Sequence, residues 1–176
     1  YDVGRLKPGT DYAKSLPDQQ PVDGARIPKL ADLFDLVKAS GNTRVGFDCE
    51  TKISPLEAAA TLPPDEFARK VIAEIRKAGM ERRTMIQSFD WRTLQVVQKE
   101  APEIRTMYVT SPRTLAPAGD GGPSPWLAGF GPERHGGSVP RTVHAAGGRI
   151  WAPNQTYLTP AMLAETRTLG IAVIPW

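Results

Sequence analysis

The chain has 176 residues, 40% of them hydrophobic and 23% charged, a globular balance that excludes wholesale disorder and fits one domain with little room for two. Its 22 basic and 19 acidic residues leave a net charge of +3, and the Lys and Arg residues are scattered, which speaks against a nucleic-acid partner and suits a small anionic ligand. No apolar run approaches the roughly 18 residues of a membrane span, and the single cysteine, Cys49, excludes an internal disulfide or a cysteine-rich zinc site.

Residues 1–27, rich in Pro, Gly, Asp and Gln, show no apolar period and predict an extended, irregular segment. Pro28 then opens a helix with Leu30, Leu33, Phe34 and Val37 on one face, closed by Gly41. A strand is expected within 44–52, a helix from Pro64 with Phe67, Val71, Ile72 and Ile75 on one face, and its stop at Gly79. Strands follow at 84–89 and 105–110, separated by a helix over 91–100 that Asp90 caps. Residues 111–137 read as a long loop, 138–146 as a short helix, and 149–152 as a strand. Thr159 and Pro160 begin a helix through Leu169, and 171–176 is the last strand.

Strands alternating with helices predict an α/β fold with a parallel sheet, either doubly wound or a (β/α)8 barrel. A complete barrel usually takes about 250 residues. Five strands here, the last ending the chain on an apolar run, predict an interrupted barrel and a piece of a longer protein.

In either architecture ligands gather at the C-terminal strand ends, where Glu50, Lys52, 87–90, Thr110, 153–154 and Trp176 fall. Asp48, Glu50 and Lys52 share one face of their strand, and burying three charges there is costly unless they are paired or bind a metal. Spacing alone leaves two readings open, an ion pair at a strand mouth or a site holding a divalent cation beside a phosphate. His135, in a glycine-rich loop, and His144, in a short helix, have no motif around them and read as surface or structural positions. Gly119-Asp120-Gly121-Gly122 lacks the lysine and helix of a phosphate loop, Asn154-Gln155-Thr156 is a chance glycosylation sequon, and Trp126 and Trp151 read as packing residues.

Several segments carry a resemblance. Phe47-Asp48-Cys49-Glu50-Thr51-Lys52 is similar to the F-N-I-E-T-K segment of the bacterial glycerophosphodiester phosphodiesterase family, particularly its periplasmic type. Ile27-Pro28-Lys29-Leu30 resembles the family's I-P-T-L, Gln87-Ser88-Phe89-Asp90 its Q-S-F-D, and Trp176 the first residue of its W-T-V-N. Cys49 stands where the family usually has Ile. The resemblance implies a TIM barrel that cleaves glycerophosphodiesters to glycerol 3-phosphate and an alcohol with a bound divalent cation, calcium ahead of magnesium. It implies Glu50 as a metal ligand, Lys52 as a substrate residue beside the phosphate, and Phe89 and Trp176 as substrate-pocket aromatics. Residues 1–27 correspond to the tail of the family's insertion and 28–176 to about strands three to seven, with the first two strands and the last missing. The His-Arg-Gly, Glu-x-Asp and His-Asp motifs that supply acid/base histidines and further metal ligands are expected upstream of Tyr1, so this piece is expected to be inactive alone. The implied partner is a small-molecule diester and the implied location periplasmic or secreted. The alternative is a non-catalytic module of the same fold that binds a phosphate ligand or another protein.

Overall fold

The computed structural model describes residues 1–119 and 121–176; Asp120, within the Gly119-Asp120-Gly121-Gly122 run, lies outside the described residues. The chain forms two compact units, Tyr1–Thr43 and Arg44–Trp176.

The first unit closes on itself through short-range polar contacts. Asp2 bridges Arg26 antiparallel, Val3 N–H donates to the Ala25 carbonyl at 2.8 Å, and Val22 N–H donates to the Gly4 carbonyl at 2.8 Å. The Asp2 carboxylate accepts from the N–H groups of Gly4 and Gly24 at 2.9 and 2.8 Å. A side chain at Gly4 would put its Cβ 1.7 Å from the Val22 carbonyl oxygen, so this closure requires glycine there. The expectation of a wholly extended 1–27 is corrected at α1 (Asp11–Ser15), a short helix whose N-cap Thr10 accepts from Ala13 N–H. Helix α2 (Leu30–Ala39) follows; its Phe34 is fully buried, while Leu33 and Leu36 are exposed.

The second unit is a parallel sheet in the order β1 (Phe47–Glu50), β2 (Thr84–Ser88), β3 (Arg105–Thr110), β4 (Ile150–Pro153) and β5 (Ala172–Val173). Sequence neighbours pair throughout, as expected when a helix carries the chain back between successive strands. These helices are α3 (Pro64–Ala78), α4 (Trp91–Glu100), α6 (Val139–Ala145) and α7 (Pro160–Thr168), with the one-turn helix α5 (Pro112–Leu115) between β3 and α6. Their starts are chemically marked. Asp90, Ser138 and Thr159 each accept a backbone N–H of the first turn, and α3, α6 and α7 each carry an early proline. Gly79 closes α3 at φ +63°, a left-handed conformation that costs a non-glycine residue about 1 kcal/mol.

The two faces of the sheet differ. Met107, Val109 and Ala152 form a buried cluster with Met85, Phe89 and Ile150 against it. Strand alternation turns Ile86, Tyr108 and Trp151 the other way, toward the helices, where Trp91 meets Tyr108 edge-on at 4.8 Å. Register places Asp48 opposite Met85 and Glu50 opposite Gln87, so both carboxylates lie on the cluster's face. Here β3 is central, buried along Thr106–Thr110, while β1 is an edge, which lets the charged residues on it keep solvent.

Three expectations are adjusted. The first strand is confined to Phe47–Glu50. The last is regular only at Ala172–Val173, because Pro153 on β4 has no N–H to give to the Ile174 carbonyl, although Ile174 and Trp176 still donate to the Trp151 and Pro153 carbonyls at 2.9 and 3.1 Å. The segment 111–137 is not a structureless loop: it holds α5 and 3-10 turns at Pro125–Leu127 and Pro132–His135, each entered through proline.

Candidate functional site

The C-terminal end of β1 is held by a buried polar knot. Thr51, 2% exposed, donates its N–H to the Gln87 carbonyl at 3.0 Å and shares a 2.7 Å hydrogen bond with the Thr93 hydroxyl. The Ser88 hydroxyl donates to the Thr51 carbonyl at 3.0 Å and accepts from Asp90 N–H at 3.1 Å. Thr51 is therefore fixed toward the helices, and alternation turns its neighbours Glu50 and Lys52 to the opposite face. There Lys52 Nζ donates to Glu50 Oε1 at 2.8 Å and lies 5.8 Å from the centre of the Phe89 ring. Glu50 keeps 24% of its side chain exposed and Lys52 78%. The pKa of Asp48, on the same face, is raised from its ordinary value by partial desolvation and secondarily by the Glu50 carboxylate.

The same knot presents Phe89. With Ser88 tied to Thr51 and Asp90 capping α4, the residue between them projects from the end of β2. Trp176 meets Phe89 edge-on at 5.5 Å between ring centres, and its carbonyl accepts from Gln155 N–H at 2.9 Å. Glu50, Lys52, Phe89 and Trp176 thus come together, lining one open pocket of about 550 Å³ at the C-terminal ends of the strands.

Sequence reasoning missed further residues of this pocket, among them Glu57, Arg113 and Trp126. Trp126, read from the sequence as a packing residue, is half-buried in the pocket wall. Arg113 follows the C-terminal end of β3 within a Ser-Pro-Arg-Thr turn, and its nearness to a strand end was the available signal. Other residues keep structural roles. His144 is exposed on α6, and neither it nor His135 lines the pocket. Trp151 is buried and donates its indole N–H to the Thr110 hydroxyl at 2.8 Å. Asn154 uses its side chain to accept from Thr156 N–H at 2.9 Å, which gives the sequon a turn-capping purpose.

A hard divalent cation takes six to eight oxygen ligands. Glu50 has the right chemistry and an accessible carboxylate for one such position, and Glu57 lines the same pocket. Among the described residues, however, no three His, Cys, Asp or Glu side chains converge on one point. The residues present fit one ligand position and do not form a cage on their own. Nor is any helix among them long and apolar enough to cross a membrane.

Residues 2–176 match the model of the glycerophosphoryl diester phosphodiesterase family. The chain belongs to that family. Its fold is shared with solved family structures. One, assigned as a glycerophosphoryl diester phosphodiesterase from Silicibacter pomeroyi, is 32% identical with a TM-score of 0.74, over 99% of this chain and 54% of that one. A glycerophosphodiester phosphodiesterase from Parabacteroides distasonis is 16% identical with a TM-score of 0.59, over 93% of this chain and 57% of that one. An Oleispira antarctica phosphodiesterase, solved with its product sn-glycerol-3-phosphate, is 16% identical with a TM-score of 0.57, over 93% of this chain and 52% of that one. No match was found among curated proteins. The chain spans about half the length of these structures. As a glycerophosphodiester phosphodiesterase family member of that span, its five-stranded parallel sheet is an incomplete (β/α)8 barrel.

Proposed function

We propose that the natural full-length protein hydrolyses glycerophosphodiesters to glycerol 3-phosphate and an alcohol, and that this pocket binds the phosphate end of the substrate. The observation that carries the reading is the convergence of Glu50, Lys52, Phe89 and Trp176 on one pocket in a chain of this family. Lys52 lends a mobile ammonium to a phosphate oxygen and stabilises the negative charge that grows there in the transition state. Phe89 and Trp176, set edge to face, wall one side of the substrate and limit water around it. Glu50 offers one carboxylate to a divalent cation, calcium ahead of magnesium, with the remaining ligands contributed from outside these residues. Such an ion, when bound, neutralises the phosphate and polarises its P–O bonds. Proton transfer needs a positioned acid and base. In this reading they also come from outside the chain, which leaves the isolated 176 residues inactive. A periplasmic or secreted location follows from the motif likeness to the periplasmic type.

The test is release of glycerol 3-phosphate from glycerophosphocholine by the full-length protein, with calcium or magnesium supplied. Glu50→Gln is expected to lower metal affinity and turnover together. Absence of product from the wild type would overturn the reading, and unchanged metal dependence in Glu50→Gln would remove Glu50 from the ligand set.

A further inference from the structure

The pocket contains a cation that the phosphate chemistry leaves unused. Its charged side chains are Glu50, Lys52, Glu57 and Arg113. Lys52 is matched with Glu50 at 2.8 Å, whereas Arg113 makes no hydrogen bond or ion pair among the described residues. An unmatched guanidinium offers five N–H donors in a planar fork that fits a carboxylate or phosphate in bidentate fashion.

Arg113 is also held in a constructed wall. Ser111 and Thr114 cap α5 reciprocally, with Thr114 N–H donating to Ser111 Oγ at 3.2 Å and Ser111 N–H to Thr114 Oγ1 at 2.9 Å. The buried Ser124 hydroxyl donates to the Thr114 carbonyl at 2.6 Å and accepts from Trp126 N–H at 3.3 Å. One serine thus ties the segment bearing Trp126 to the turn bearing Arg113. Lys52 is drawn the other way, onto Glu50 and Phe89 at the ends of β1 and β2. β1 and β3 are separated by one strand, so the two sides stand about 10 Å apart at strand level. Met107 lies level with Glu50 across the sheet, and Arg113 lies beyond the end of β3.

We infer that Arg113 and Trp126 form the subsite for the esterified alcohol, and that it favours an alcohol bearing an anionic group. This rests on the hydrolytic reading of the same pocket. A diester phosphate engaged at Lys52 directs its alcohol across the pocket, where the indole supplies a flat apolar surface and the guanidinium supplies a charge-assisted fork.

Glycerophosphoserine and glycerophosphoethanolamine differ only in one carboxylate and therefore isolate the effect. In the full-length protein, kcat/KM is expected to be at least tenfold higher for the serine diester. Arg113→Met is expected to collapse that ratio at least tenfold, mainly through the KM of the serine diester, and Arg113→Lys to restore part of it. An unchanged ratio in Arg113→Met, or equal losses on both diesters, would overturn the inference, because Arg113 would then act elsewhere or on the shared phosphate. If the full-length protein cleaves neither diester, the hydrolytic reading fails, and calorimetric titration with the same compounds still decides the subsite. A binding preference for the serine diester that Arg113→Met abolishes sustains it, and equal or absent binding rejects it.

Discussion

Replacing Lys52 by Met separates the two readings that its spacing from Glu50 leaves open. As a structural ion pair, Lys52 has little to offer. Its side chain is 78% exposed, and pairs of that kind contribute about 0–1 kcal/mol. Its position over Phe89, 5.8 Å from the ring centre, adds about 0.5–1 kcal/mol at most for an exposed cation. Lys52→Met is therefore expected to lower the unfolding free energy by about 2 kcal/mol or less, a fall in Tm of about 8 °C or less. As a phosphate ligand it has far more to lose. A hydrogen bond to a charged group is worth about 1.5–3 kcal/mol, which converts to a fall in kcat/KM of about 10- to 150-fold. The assay is coupled detection of glycerol 3-phosphate from the full-length protein, with thermal unfolding of the same sample and Lys52→Arg as the charge-retaining control. A kcat/KM within twofold of wild type would refute the phosphate role. A large loss of Tm with a proportionate loss of activity would restore the structural ion pair.

Gly148→Ala is expected to destabilise the second unit by about 2 kcal/mol through overpacking, because the new Cβ would meet Val143 Cγ1 at 2.5 Å and Tyr108 Cδ2 at 2.8 Å, both side chains being fully buried. Urea unfolding with a shift below about 0.5 kcal/mol would show that this wall yields. In the first unit, the N–H groups of Gly4 and Gly24 hold the Asp2 carboxyl below its ordinary value of 3.8. A folded pKa depressed in this way contributes stability that is fully present above the ordinary value and lost as pH falls through the depressed one. The Gly24 amide shift should accordingly titrate with a midpoint below 3.8, and a midpoint at or above that value would contradict the two hydrogen bonds.

Local chemistry makes much of this protein legible in its sequence. Asp90, Ser138 and Thr159 mark helix starts because a side-chain oxygen caps N–H groups that lack intrahelical partners. Gly79 marks a stop because it alone enters the left-handed region cheaply. Period-two alternation puts Asp48, Glu50 and Lys52 on one face, and strand–helix alternation predicts the parallel sheet. Those signals operate within a few residues of one another, so one sequence suffices to read them. Regular pairing ends earlier than the apolar run at 171–176 predicts, because Pro153 on the neighbouring strand offers no N–H to the Ile174 carbonyl.

Tertiary structure alone decided what faces what across the sheet. Thr51 looks unremarkable in sequence; its hydroxyl contact with Thr93, which lies on another element, orients Glu50 and Lys52. Trp126 has the composition of a packing residue, and it enters the pocket because a buried serine joins its turn to the one after β3. Arg113 lies 61 residues from Lys52 in the chain, and only the parallel order β1-β2-β3 brings their loops to the same rim. Such relations depend on strand order and on hydrogen bonds between distant segments. No local periodicity encodes either one, and so the sequence determined the elements and the edge carboxylate–lysine pair, while the packed sheet decided which other residues share their pocket.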